Sequence, residues 1–212
     1  MTHFGKKICI IDLGMGNIKS VQNMFQKIGC TVRVEDSAKN YEPADLYVLP
    51  GVGAFDTGMR RLAESGWDKE VVNLSHLKAP ILGICLGMQL LCDSSTEGNL
   101  SGLKIIPGHF EFLGTAGSNR LKVPHMGWNE VNFVEDKVSW SPTSTERSRY
   151  YHVHSFHYVH DTDEYVLARC NYGGVVVSGI KNGSAVGLQF HPEKSHMFGL
   201  RLLENLVRSL NA

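Results

Sequence analysis

The chain has 212 residues, 42% hydrophobic and 20% charged, enough to bury a full core and to form one large domain over 1–212. Basic and acidic residues balance at 21 each without an extended basic cluster, so the electrostatic footprint of a nucleic-acid binder is missing. No apolar run approaches the roughly 18 residues of a membrane span, and Met1–Lys7 leads straight into a strand, so a cytoplasmic protein is expected.

Lys7-Ile8-Cys9-Ile10-Ile11-Asp12 reads as a strand buried on both faces, followed by a helix over Asn17–Ile28 whose apolar residues recur at helical spacing. Gly29 ends that helix, Cys30–Val34 forms a second strand and Asp45–Leu49 a third. Gly14-Met15-Gly16-Asn17 imitates a dinucleotide-binding loop, but Lys19 occupies the place of the third glycine, which favours a plain tight turn. Helices are expected over Asp56–Glu64 and Asp68–Leu77, ahead of a strand that ends in Gly83-Ile84-Cys85-Leu86-Gly87.

That pentapeptide is the most informative feature of the chain. In Gly-x-Ser-x-Gly hydrolases the glycines permit a strained strand-to-helix turn that lifts the nucleophile off the sheet, and a thiol can occupy the same elbow. A helix starting at Leu86 would favour thiolate over thiol, pulling the cysteine below its free pKa of about 8.5. The five cysteines, Cys9, Cys30, Cys85, Cys92 and Cys170, include no Cys-x-x-Cys pair, which suits reduced thiols, four of them simply packed. Leu49-Pro50-Gly51-Val52-Gly53-Ala54-Phe55 ends the third strand in a glycine-rich turn suited to an oxyanion hole. One donor would be the Leu86 N–H and another an N–H of this turn; a purely structural turn is the competing reading.

Beyond Ser101 shorter strands follow at Glu130–Phe133, His152–Val159, Tyr165–Asn171, Val175–Ile180 and Ala185–Phe190, and Ser195–Leu210 closes the chain as an amphipathic helix. The fold class expected is α/β: an open, mostly parallel central sheet flanked by helices, with antiparallel or mixed strands in the C-terminal half. His191-Pro192-Glu193 follows the last strand. In an extended segment residues two apart share a side, so Glu193 would orient His191, and His191 would face the thiol as base. His152, His154, His157 and His160 invite a metal reading, but their spacing is loose and no carboxylate cluster completes a shell, so no metal and no cofactor are expected.

Leu49–Phe55, Gly83–Leu91, Val123-Pro-His-Met-Gly-Trp-Asn129, Val153-His-Ser155 and Gln189-Phe-His-Pro-Glu-Lys-Ser195 together resemble the class I glutamine amidotransferases, more narrowly the glutaminase subunits of imidazole glycerol phosphate synthases. The resemblance runs from about Lys7 to Leu210. It implies that Cys85 attacks the glutamine amide, that His191 protonates departing ammonia and that Glu193 orients His191. It further implies glutamine contacts at Gly53, Gln89, Glu97, His154 and Ser155, and an oxyanion region of Val52, Gly53 and Leu86. The implied partner is a (βα)8-barrel cyclase in a heterodimer, which receives ammonia and forms imidazole glycerol phosphate and an aminoimidazole carboxamide ribonucleotide in histidine biosynthesis. Partner binding is then expected to complete the oxyanion hole by reorienting Pro50–Gly53. Asn17, Met126, Trp128, Asn129, Tyr151 and Lys194 match positions at that interface. Two segments depart from the family pattern. His152 stands where an aromatic is usual, and Ile106–Phe112 lacks the basic residue commonly found after its glycine. The partner therefore stays open between the cyclase and a synthetase that aminates a surface-polysaccharide sugar. From the residues alone, a stand-alone cysteine hydrolase or peptidase is a further alternative.

Overall fold

A computed structural model describes residues 5–115, 122–142 and 148–210; the Met1–Phe4 lead-in lies outside them. The chain begins with β1 (Lys7–Ile11), α1 (Ile18–Ile28), β2 (Thr31–Glu35) and β3 (Leu46–Gly51). It continues with α2 (Phe55–Ser65), α3 (Trp67–His76), β4 (Ile81–Cys85) and α4 (Leu86–Leu90). Short strands β5 (Ser94–Ser95) and β6 (His109–Phe112) precede the long β7 (His125–Phe133), β8 (Arg149–His154) and β9 (Phe156–Val159). Strands β10 (Val166–Asn171), β11 (Val175–Asn182) and β12 (Ala185–Leu188) lead to α5 (His196–Ser209).

Among the described residues the main sheet has nine strands in the order β2-β1-β3-β4-β12-β11-β10-β7-β8. From β2 to β12 the neighbours are parallel, and from β12 to β8 they are antiparallel, so the sheet is mixed with its parallel part formed mainly by the first half of the chain. Successive side chains of a strand face opposite ways, and β1 shows the consequence. Ile8 and Ile10 join a core with Val21 and Phe25 of α1 and Leu203 and Val207 of α5, whereas Cys9 and Ile11 join another with Phe55, Leu62 and Trp67 of α2 and α3. Helices thus cover both faces, which is why β1, β3 and β4 read as continuous apolar runs. Among the described residues no helix is long and apolar enough to cross a membrane.

Three local outcomes that shape the site differ from the sequence reading. The expected strand over His152–Val159 breaks at Ser155: β8 pairs with β7 in the main sheet, while β9 pairs with β6 in a separate three-stranded sheet. Glu193 lies in a 3-10 turn, Pro192–Lys194, rather than in an extended segment. The helix after Cys85 has only 5 residues, little more than one turn, which leaves few aligned peptide dipoles at the sulfur.

Candidate active site

Strands β4 and β12 are parallel neighbours, with Ile84 opposite Leu188, so the residues that follow both emerge at one edge of the sheet. This adjacency brings together Cys85 and His191, which are far apart in sequence.

Cys85 has φ 54 and ψ −106, a left-handed conformation costly for a side chain other than glycine. The flanking glycines make that turn possible. A Cβ at Gly87 would sit 1.7 Å from the Leu49 carbonyl oxygen, and one at Gly83 would sit 2.6 Å from the Gly87 carbonyl oxygen. The elbow therefore requires Gly at both positions because backbone packs directly on backbone. The Cys85 thiol lies 3.9 Å from the Val153 carbonyl oxygen and 3.8 Å from Gln189 Nε2.

His191 is held from behind. Its backbone N–H donates to the Tyr151 carbonyl at 2.9 Å, and its own carbonyl accepts the Ser195 hydroxyl at 2.6 Å. Ser195 Oγ in turn accepts the Tyr151 N–H at 3.0 Å, stitching β8 to the His191 turn. Nδ1 of His191 meets Glu193 Oε1 at 2.7 Å, with both side chains almost wholly buried. Burial opposes a charge on this ring, but the neighbouring Cys85 sulfur and the hydrogen-bonded Glu193 carboxylate outweigh it, and His191 is raised to about 9. That shift marks Nε2 as sensing the sulfur, although no aligned hydrogen bond is made to it in this state. The expected meeting of His191 and Glu193 thus occurs through the 3-10 turn. The turn is backed by α5, where a Cβ at Gly199 would come within 1.9 Å of the Pro192 carbonyl oxygen.

A cleft of about 420 Å³ opens beside the thiol. Its walls include Val52, Gly53, Cys85, Leu86, Gln89, Glu97, His154 and Ser155, so the cleft unites the residues expected for oxyanion and glutamine contacts. Ala54, Pro124, Val153 and Phe156 complete it, and Pro124 and Phe156 have no role in the sequence reading. Gln89 is buried, and its Oε1 has no hydrogen-bond partner among the described residues. Glu97 accepts the Phe55 N–H at 2.9 Å, while Asp56 accepts the N–H groups of Asn99 and Leu100 at 3.0 Å, a reciprocal clasp between α2 and the 97–100 loop. Those two N–H groups, Leu100 first, hold the Asp56 carboxyl below its ordinary pKa. The Gly14–Asn17 loop has a packing role: Gly16, at φ 124, and Met15 lie against the Gly51–Gly53 turn.

Behind His154 runs a chain of buried imidazoles. His154 Nδ1 must donate to the Phe156 carbonyl at 2.8 Å, which leaves Nε2 to accept from His125 Nδ1 at 3.0 Å, and His125 Nε2 then faces Asn129 Nδ2 at 3.4 Å. His152 Nδ1 donates to the Tyr150 carbonyl, and its ring stacks on His125 at 4.5 Å and 16°. Burial pushes His125 down to about 4, His154 to about 3 and His152 to about 2, so all three are neutral. Ligand atoms of His125, His152 and Cys170 lie within 4.8 Å of one another. The stacked rings nevertheless hold their lone pairs in nearly parallel planes that cannot meet at one ion. His157 and His160 lie on and beyond β9, outside this cluster.

Of the expected interface positions, Met126 and Trp128 are exposed on one face of β7. Trp128 stacks on His196 at 5.3 Å and meets the edge of Tyr151 at 6.3 Å, and Lys194 Nζ lies 5.9 Å over the Tyr151 ring. Asn17 caps α1 by accepting the Ser20 N–H. Asn129 differs: it lies on the opposite face of β7, and its amide donates to the Asn171 carbonyl at 2.8 Å.

The family model "Glutamine amidotransferase class-I" matches residues 9–209. The chain belongs to the class I glutamine amidotransferase family. It is 42% identical over 206 residues to the Methanococcus maripaludis protein named imidazole glycerol phosphate synthase subunit HisH 2, covering 95% of this chain and 98% of that one. A HisH subunit of Bdellovibrio bacteriovorus is 42% identical over 200 residues, covering 93% and 98%. Among solved structures, a glutamine amidotransferase superposes with a TM-score of 0.75 at 15% identity, covering 97% of this chain and 99% of the other. PurLQS from Thermotoga maritima gives 0.72 at 19% identity, with 97% and 99% covered. These two likenesses establish the fold, and the sequence relatives establish a glutamine amidotransferase.

Proposed function

We propose that this amidotransferase is the glutaminase subunit of an imidazole glycerol phosphate synthase and that Cys85, His191 and Glu193 form its catalytic triad. The observation that carries the reading is a strained, glycine-flanked thiol beside an imidazolium-favouring His191 whose other nitrogen is 2.7 Å from Glu193. The Cys85 thiolate attacks the side-chain carbonyl of glutamine, and negative charge develops on its oxygen. N–H groups at Leu86 and in the Val52–Gly53 turn stabilise that oxygen. His191 Nε2 gives its proton to the departing nitrogen, releasing ammonia and leaving a glutamyl thioester. Water, deprotonated by His191, then adds to the thioester; glutamate leaves and the thiolate is regenerated. Glu193 fixes the tautomer and stabilises imidazolium throughout.

The residues around the cleft suit glutamine. Gln89 offers an unpartnered amide oxygen to the substrate amide or ammonium, Glu97 offers charge, and Gly53, His154 and Ser155 complete the pocket. The partner is a (βα)8-barrel cyclase in a heterodimer, docked on a face that includes Asn17, Met126, Trp128, Tyr151 and Lys194, with Asn129 acting from the far side of β7. Ammonia passes to that partner, which makes imidazole glycerol phosphate and the aminoimidazole carboxamide ribonucleotide. Ammonia freed into neutral water is protonated and loses its nucleophilicity, so transfer must occur out of solvent. His152, where the family usually carries an aromatic, is buried within the sheet.

Complementation tests the pathway. The chain is expected to restore growth to a histidine auxotroph lacking this subunit. Failure to do so, with ammonia release stimulated instead by a sugar-amidating synthetase, would overturn the cyclase assignment and leave the glutaminase chemistry standing.

A further inference from the structure

Gln189 follows β12 and is 0% exposed, in an otherwise apolar stretch from Ala185 to Phe190. Its backbone N–H is held by the Ser178 carbonyl at 2.9 Å. Its side-chain Nε2 lies 3.8 Å from the Cys85 sulfur, within reach of an N–H to sulfur hydrogen bond, and its Oε1 has no partner among the described residues. A methionine would fill much the same volume without burying a polar oxygen that goes unsatisfied. An amide kept here despite that cost points to a use for its donor end, and at its donor end is the sulfur.

The sulfur's other neighbours divide by chemistry. The Val153 carbonyl, at 3.9 Å, can only accept, so it pairs with the thiol and offers nothing to the thiolate. His191 stabilises the thiolate while protonated but gives its proton away during the reaction. A side-chain amide keeps its protons at any working pH. It can therefore donate to the sulfur both when thiolate attacks and when thiolate is expelled from the thioester.

We propose that Gln189 is a further catalytic residue, whose side-chain amide donates a hydrogen bond to the Cys85 sulfur and stabilises it as attacking and as leaving thiolate. This assignment rests on Cys85 being the nucleophile, as argued above. The donor end faces the sulfur; with the amide turned over, its carbonyl would instead accept the thiol proton, and the two arrangements predict opposite shifts of Cys85 reactivity when Met or Leu replaces the amide.

The test is the pH dependence of Cys85 alkylation by iodoacetamide in the full chain, read by peptide mass mapping for wild type, Gln189→Met, Gln189→Leu and Gln189→Glu. Cys9, Cys30, Cys92 and Cys170 are all buried and serve as internal references. Loss of the donor is expected to slow Cys85 labelling near pH 7 roughly tenfold and to move the rising limb of the profile to higher pH. Gln189→Glu is expected to move it further in the same direction, since a carboxylate repels thiolate. A side chain that merely packs would lower the melting temperature and leave the profile in place, and two hydrophobic replacements guard against one failing to fold. Selective wild-type labelling with unshifted profiles in the folded variants, or a Gln189→Glu protein as reactive as wild type, overturns the role of Gln189 alone. If wild-type Cys85 reacts no faster than the four reference cysteines, the nucleophile assignment itself falls and the proposal falls with it.

Discussion

The parallel and antiparallel parts of the main sheet build opposite sides of the site by different means. The parallel side uses covalent geometry: β4 ends in a left-handed cysteine, and two glycines let α4 sit on the β3 and β4 backbone. The antiparallel side uses hydrogen bonds. His191 is tied to β8 through Tyr151 and Ser195, and His154 to β7 through His125. A steric device fails abruptly when a single atom is added, whereas a buried polar network fails through protonation or loss of a partner.

Removing the chemistry itself gives the largest effect. Cys85→Ala is expected to lower partner-stimulated ammonia release from glutamine by about 10⁴-fold or more. Glu193→Gln keeps the packing but removes the charge that stabilises imidazolium, and a fall of about 10²–10⁴-fold is expected in the same assay. A decrease below tenfold would remove Glu193 from the triad.

The steric side is broken at Gly87. Gly87→Ala forces a Cβ onto the Leu49 carbonyl and is expected to cost about 3 kcal/mol or more in urea unfolding. A midpoint like that of wild type would show that the elbow has slack.

The polar side is broken by acid. His125, His152 and His154 have folded pKa values of about 4, 2 and 3, below the ordinary 6.5, so the unfolded chain binds the protons first. Their stability is intact above pH 6.5 and is lost as pH falls from 6.5 toward each ring's own folded value, by up to about 1.4 kcal/mol per unit for each ring. His191 runs the other way: raised to about 9, its contribution is present below 6.5 and is lost as pH rises through 9. Urea midpoints are expected to peak near neutrality and to drop by pH 5.5; a flat midpoint from pH 7 to 5.5 would contradict neutral buried imidazoles. The smallest effect provides the control. Gly174 has open space where a Cβ would go, and Gly174→Ala is expected to change stability by less than about 0.5 kcal/mol.

The same division governs what was legible in the sequence. The buried strands β1, β3 and β4 declare themselves as apolar runs, helix α1 by its period and its closing Gly29, and the elbow by its glycines, so the parallel half and the cysteine turn are legible directly. The strand over His152–Val159 could not, because its break at Ser155 is imposed by pairing with two different sheets. Glu193 was matched to His191 on the wrong local geometry, since a proline after a histidine does not by itself distinguish an extended segment from a 3-10 turn. His125 and Gln189 lay inside quoted motifs without a role. Their partners, His154 and Cys85, come from other strands, and only tertiary pairing reveals them.

The central claim is that folding makes Cys85 the nucleophile that attacks glutamine. Incubating the chain, together with the proposed cyclase partner, with a glutamine-like diazoketone, followed by peptide mass mapping, tests it most directly. The account predicts one covalent adduct, on Cys85, suppressed by excess glutamine and absent from Cys85→Ala. Adducts spread over Cys9, Cys30, Cys92 or Cys170, or a Cys85 adduct indifferent to glutamine, would contradict it.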